Sequence, residues 1–253
     1  MTFQSFRNFR SAFLAIIFVF SFHAVGHAGS HDGWKQTYAQ LLETYVHPSG
    51  VDYAAWHANA DDVAALASVV KAMGAVDATA LSPDDRLAFY INAYNAWMLH
   101  LVFKNYPVNS VTEIRPDWGV FREDLITVNG QPSSLDKLEK GLILKDFGDA
   151  RAHFAVNCAS VGCPPLQGKP FTGANLDAEL DAASAAFVNS PEGVRVTGNT
   201  ASLSKIFEWY QSDFKPDGGL VGFVNKYRTQ RLPENAKVVH HTYDWNLNQS
   251  RDG

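Results

Sequence analysis

Ser82-Pro83-Asp84-Asp85-Arg86-Leu87-Ala88-Phe89-Tyr90-Ile91-Asn92-Ala93-Tyr94-Asn95-Ala96-Trp97-Met98-Leu99-His100-Leu101-Val102-Phe103-Lys104-Asn105-Tyr106 is the stretch on which the fold turns. Ser82 is placed to cap a helix, Pro83 stands at its first position, and two acids follow in the first turn. From Arg86 to Tyr106 apolar residues dominate every face, so one long, mostly buried helix is expected. It should end before Pro107.

Upstream, Trp34 to Val46 has helical periodicity through Tyr38, Leu41, Leu42 and Tyr45. His47-Pro48-Ser49-Gly50 ends it and leads into an extended Val51-Asp52-Tyr53. Asp61 to Met73 reads as a second amphipathic helix stopped by Gly74. Downstream the period changes. Leu125 to Val128 followed by Asn129-Gly130 predicts a strand entering a type I′ hairpin turn. Ser133-Ser134-Leu135-Asp136 caps a short helix through Leu144, and His153 to Asn157 reads as a buried strand. Leu176 to Asn189 is an Ala-rich helix. Val194-Arg195-Val196 and Ala201-Ser202-Leu203 form a small hairpin around Gly198-Asn199. Helices are expected at Lys205–Phe214 and Leu220–Tyr227, and Lys237 to Tyr243 closes the chain as a strand. Helices first and short strands later point to α+β: a helix-rich single domain with a small, mostly antiparallel sheet and short hairpins.

Residues 1–28 have the composition of a signal peptide. Arg7 and Arg10 precede an apolar run from Ala12 to Phe22, and Gly26 and Ala28 sit at −3 and −1 of a cut after Ala28. The run is shorter than the roughly 20 apolar residues of a membrane span. A periplasmic or secreted location is expected, with residues 29–253 as one globular domain and no stable membrane insertion after cleavage. The 46% hydrophobic and 13% aromatic content argues against disorder, and a net charge of −5 without clustered Lys or Arg argues against nucleic-acid binding. A small-molecule or peptide ligand is the remaining expectation.

Both cysteines lie in Arg151-Ala152-His153-Phe154-Ala155-Val156-Asn157-Cys158-Ala159-Ser160-Val161-Gly162-Cys163-Pro164-Pro165-Leu166. In a strand His153 and Asn157 share one face and Cys158 the other; in a helix His153 and Cys158 are roughly 140° apart. In both geometries His153 and Asn157 face together, which favours an imidazole–amide hydrogen bond. A base for Cys158 would then come from His100, His240 or His241, or a turn after Asn157 swings the sulfur back to His153. A nucleophilic thiol needs such an oriented base. Against it stands a Cys158–Cys163 disulfide, the default in an oxidising compartment, with a loop around Gly162 and Pro164 to close it. Two cysteines with scattered histidines match no zinc spacing, and the pair is not a C-x-x-C motif, so neither metal nor cofactor is expected.

Asn92 and Asn95 are one turn apart on the apolar helix and must find partners if buried. They either cap neighbouring backbone or orient a base and hold an oxyanion. Asp52, Glu113, Asp136 and Glu139 are expected as solvated or helix-capping acids. Phe207-Glu208-Trp209-Tyr210 is expected in the core rather than as a stacking platform.

At these residues the chain resembles the domain of unknown function 547 family. Its blocks are Ala88 to Ala96, Ser134-Leu135-Asp136 with Glu139, His153-Phe154-Ala155 through Asn157-Cys158-Ala159-Ser160, Cys163-Pro164, Ser204 to Tyr210, and Tyr243 to Asn248. The resemblance covers Trp34 to Asn248 and implies an exported bacterial member rather than any one reaction. Where many members carry histidine after the glutamate, this chain has Lys140, so a base or ligand role for that histidine does not transfer. Two readings stand: a thiol-dependent hydrolase or acyl transferase using Cys158, His153, Asn157, Asn92 and Asn95, and a non-enzymatic binding or scaffold module stapled by Cys158–Cys163.

Overall fold

Gly33–Tyr45 (α1), Tyr53–Ala58 (α2), Ala60–Ala75 (α3) and Pro83–Phe103 (α4) form the helical first half of the computed structural model, which describes Met1 and residues 33–250. The signal-peptide reading of residues 1–28 therefore falls outside the described residues except for Met1. A two-stranded turn, Val46–His47 (β1) against Gly50–Val51 (β2), joins α1 to α2. Where the sequence suggested an extended lead-in through Tyr53, Asp52 instead caps α2, its carboxylate accepting from the Ala55 N–H at 3.0 Å.

Helix α4 starts as its sequence predicts, with Ser82 Oγ accepting from the Asp85 N–H at 3.3 Å. It stops at Phe103, three positions before Tyr106. Every residue from Leu87 to Leu99 is buried, because α3 and the later helical segments cover it from several sides. An amide on α4 is thus forced to satisfy itself inside the protein.

Gly119–Arg122 (α5) precedes the hairpin Ile126–Val128 (β3) and Gln131–Ser133 (β4). Asn129 and Gly130 both take positive φ, 51° and 72°, as a type I′ turn requires. The Gly130 N–H donates to the Gly74 carbonyl at 2.8 Å, which docks this hairpin on α3. Lys137–Leu144 then winds as a π-helix and continues into Lys145–Phe147 (α6). Leu176–Val188 (α7), the hairpin Val194–Thr197 (β5) and Thr200–Leu203 (β6), Lys205–Trp209 (α8), Gly219–Tyr227 (α9) and Lys237–His240 (β7) complete the order. The expected helix from Lys205 to Phe214 breaks at Tyr210 and resumes as a 3₁₀ segment, Gln211–Asp217, which contains Pro216. Strand β7 runs parallel to β6, so the three-stranded sheet β5-β6-β7 is mixed, while the two other sheets are antiparallel pairs. The fold is helix-rich α+β.

The predicted strand at His153–Asn157 is overturned. Ala150–Phe154 is a 3₁₀ turn capped by Asp149, whose carboxylate accepts from the Arg151 N–H at 2.9 Å, and Ala155–Cys158 is irregular. The run is apolar because two hydrophobic clusters meet across it, not because it pairs in a sheet. Ala152, Ala155, Val156 and Ala159 pack in the cluster built on α1, α3 and α4. Phe154, Cys158 and Cys163 pack in the other, where Phe187, Phe207, Phe214 and Phe223 surround Phe154 at centroid distances of 5.3–6.1 Å. Short buried apolar runs carry no periodicity that separates these cases.

The final segment fastens the cysteine loop to the rest. Gly162 and Val161 donate to the carbonyls of Asp244 and Asn246, Asn248 donates to the Ala159 carbonyl, and Val51 donates to the Asn248 carbonyl, all at 2.8–3.0 Å. Among the described residues no helix is long and apolar enough to cross a membrane.

Candidate functional site

Cys158 and Cys163 are joined as a disulfide, with Cα atoms 6.2 Å apart. The loop between them is held at each residue. Ala159 adopts φ 61°, a conformation that costs an L-residue about 1–2 kcal/mol. It is retained because its N–H donates to Asn157 Oδ1 at 2.9 Å while its carbonyl accepts from Asn248. The resulting turn brings Ser160 Oγ to 2.9 Å from Cys158 Sγ, and Tyr243 Oη lies 3.2 Å from both atoms. The Cys158 N–H donates to Cys163 Sγ at 2.9 Å. Gly162 sits in close quarters: a Cβ would stand 3.0 Å from the Tyr243 ring and from the Asp244 nitrogen, so a side chain there would press on the final segment.

The asparagines serve this loop through its backbone. Asn95 Oδ1 accepts from the Asn157 N–H at 2.7 Å, and Asn95 Nδ2 donates to the Ala155 carbonyl at 2.9 Å. Asn92 makes the same two-bond clasp with Phe171. A side-chain amide thus stands in for the strand partner that the sequence led one to expect. Asn157 Nδ2 donates to the Pro164 carbonyl at 2.8 Å, so the expected His153–Asn157 bond is not made. His153 and Asn157 have stronger offers elsewhere.

Cys158, Cys163 and His153 all line one cavity of about 490 Å³, a size suited to a small ligand or a few residues of a peptide. His153 is 2% exposed, and its Nε2 lies 2.9 Å from Asp213 Oδ2. Its ring packs on Tyr210 at 4.1 Å and Phe214 at 5.7 Å. Burial holds the imidazole below its ordinary pKa, and the opposing pull of Asp213 is weakened because that carboxylate is 37% exposed. The neutral ring therefore donates Nε2–H to Asp213 and keeps its lone pair on Nδ1, for which the described residues supply no hydrogen bond. That is the protonation state of a general base.

The cavity that holds the sulfurs is also lined by a second titratable group. Glu139, on the π-helix, is 9% exposed and accepts from Tyr210 Oη at 2.6 Å. Burial raises its pKa, against the lowering effects of Tyr210 and Lys140. Burial pushes the Tyr94 hydroxyl up. The expectation of a solvated Glu139 fails, whereas Asp136 pairs with Lys140 at 2.9 Å and Glu113 is exposed and accepts from the Asn109 N–H. Lys140 also borders the cavity.

The mouth is aromatic. Trp118 and Trp209, 37% and 49% exposed, flank Trp245 at centroid distances of 4.6 and 5.8 Å. Asp117 and Trp118 both take positive φ, 52° and 62°, so strained backbone holds the Trp118 indole at the rim. The Phe207–Tyr210 block is therefore divided: Phe207 is core, but Trp209 and Tyr210 line the cavity.

His153 and Glu139 give opposite pH dependences. A lowered histidine stabilises the fold above its ordinary pKa of 6.5, and this contribution is lost as pH falls through 6.5 toward the folded value. A raised glutamate stabilises below its ordinary 4.5 and loses that contribution as pH rises from 4.5 toward the folded value. Urea midpoints at pH 7.5 and 5.5 are expected to fall less in His153→Gln than in the unaltered protein. Equal falls would show that His153 does not charge on unfolding.

Of the catalytic and disulfide candidates singled out in sequence, His153, Cys158 and Cys163 line the cavity; Asn95 and Asn157 hydrogen-bond the backbone of the cysteine loop, and Asn92 clasps Phe171. His241 bonds Ser202 and the Glu192 carbonyl instead, His240 ends strand β7, and neither it nor His100 lines the cavity. Asp213 was missed: it lies 60 positions from His153 on a surface 3₁₀ turn and carries no local signal. Among the described residues no three His, Cys, Asp or Glu side chains are grouped to hold a metal. Residues 78–188 match the family described as "Protein of unknown function, DUF547". No curated protein and no solved structure matches the chain.

Proposed function

We propose that this chain, which belongs to the DUF547 family through residues 78–188, is an exported thiol-dependent hydrolase or acyl transferase with Cys158 as nucleophile. One observation carries it: an imidazole whose Nε2 is engaged by Asp213 shares a cavity with Cys158. The bridged pair is the resting form. A dithiol reductant supplies two electrons and two protons and releases both thiols. His153 Nδ1 then takes the Cys158 proton, and Ser160 and Tyr243 hydroxyls, already at 2.9 and 3.2 Å from that sulfur, donate to the thiolate. The thiolate adds to an acyl carbon admitted past the tryptophans, and His153 returns the proton to the leaving group. Water or a second nucleophile completes hydrolysis or transfer.

The reduced, folded protein is expected to alkylate at Cys158 with iodoacetamide at pH 7 at least about tenfold faster than N-acetylcysteine, since a free thiol of pKa near 8.5 is only about 3% ionised there. A rate no higher than that of N-acetylcysteine would reject the enzyme. The disulfide itself favours a second reading, a ligand-binding module stapled at this loop. In that case reduction costs about 2 kcal/mol of stability, from closure of a short loop, and the thiol stays inert.

A further inference from the structure

Glu139 has no part in the reaction as described so far, yet it is a buried carboxyl aimed at the same cavity as the sulfur. Its position is built with care. The π-helical winding of Lys137–Leu144, a form that recurs at functional sites, carries it inward, and Tyr210 Oη fixes one carboxyl oxygen at 2.6 Å. Tyr210 also packs on His153, so base and carboxyl are held by the two ends of one side chain. Tyr243, which lines the same cavity, places its Oη 3.2 Å from Cys158 Sγ.

We propose that the Glu139 carboxyl group donates the hydrogen bond that stabilises the oxyanion formed when Cys158 adds to an acyl carbonyl. The inference rests on the thiol reading of the same site. Burial disfavours a carboxylate at Glu139, and a thiolate formed at Cys158 in the same cavity disfavours it further, because two like charges would share one cavity. In this role the carboxyl group, lining the cavity and anchored by Tyr210, keeps its proton and acts as a neutral donor. In the step itself the C–S bond forms as the carbonyl π pair moves onto oxygen, and that oxygen accepts the Glu139 O–H without taking its proton. When the pair returns to re-form the carbonyl, the leaving-group bond breaks and the His153 imidazolium supplies the proton. Preorganised donors of this kind act where charge develops, and loss of one slows acyl transfer by about 10²–10³-fold. The substrate class is an ester, thioester or amide carbonyl.

The test compares Glu139→Gln, which keeps a neutral donor, with Glu139→Met, which keeps volume without one. The reduced full-length proteins are assayed in two reactions at Cys158. Acylation by p-nitrophenyl acetate passes through an oxyanion; alkylation by iodoacetamide displaces iodide at a saturated carbon and does not. Glu139→Met is expected to lose about 10²-fold in the acylation burst and less than about threefold in alkylation, with Glu139→Gln within about tenfold of the unaltered protein in both. Equal acylation rates in Glu139→Met and the unaltered protein, with alkylation intact, overturn the role of Glu139 alone. Slow alkylation of the unaltered protein overturns the thiol reading and this inference with it. Should Glu139→Met fail to fold, Tyr210→Phe, which frees the carboxyl group from its anchor, is expected to slow acylation but not alkylation; unchanged acylation there counts against the proposal.

Discussion

Asn95→Leu is expected to lower the stability of the folded protein by about 4 kcal/mol, the largest single effect we foresee on folding. The side chain is 2% exposed, and leucine matches its shape, so little of that loss comes from a void. It comes from the loop. Asn95 supplies the acceptor for the Asn157 N–H and the donor for the Ala155 carbonyl, and neither backbone group has another partner among the described hydrogen bonds. An orphaned buried group costs about 1–3 kcal/mol, so two of them give a sum centred near 4. Asn95→Asp is no remedy, because its second oxygen would face the Ala155 carbonyl. Urea unfolding read by tryptophan fluorescence measures the change. A loss under about 1 kcal/mol would mean that the cysteine loop finds its hydrogen bonds elsewhere.

The second large effect is on chemistry. In the reduced protein Asp213→Asn is expected to slow iodoacetamide alkylation of Cys158 at pH 7 by about 10–30-fold, the ratio between a largely ionised thiol and a free one that is about 3% ionised at that pH. An amide NH₂ turned toward Nε2 demands a lone pair there and so moves the ring proton to Nδ1, where the base should be free. Asp213 is a positioning residue, 37% exposed, so stability should change by less than about 1 kcal/mol. The pH profile separates this role from a structural one. The alkaline limb of the Asp213→Asn rate should rise only near pH 8.5, like a free thiol, whereas the unaltered protein should already be reactive near neutrality. Superimposable profiles would remove Asp213 and His153 from the mechanism.

How much of this could be read beforehand follows the range of each interaction. Ser82 capping α4, the Asn129-Gly130 turn and the hairpin around Gly198 were legible because each depends on residues a few positions apart. The apolar run around Cys158 was legible as buried but not as loop, since its pairing groups come from Asn95, more than fifty residues earlier. Glu139 looked like an ordinary helix acid. Only the packing of Tyr94 and Tyr210 over it, and the π-turn beneath it, withdraws it from water.

Composition and local chemistry alone thus settled the helix-rich α+β class and the long buried helix, because propensity, capping and turn geometry act between near neighbours. Tertiary structure decided the rest: the disulfide, the partner of His153, the burial of Glu139 and the aromatic mouth. Each of these depends on groups brought together across tens of residues by the two hydrophobic clusters, and desolvation, which gives a buried charge or amide its properties, exists only once those clusters have closed.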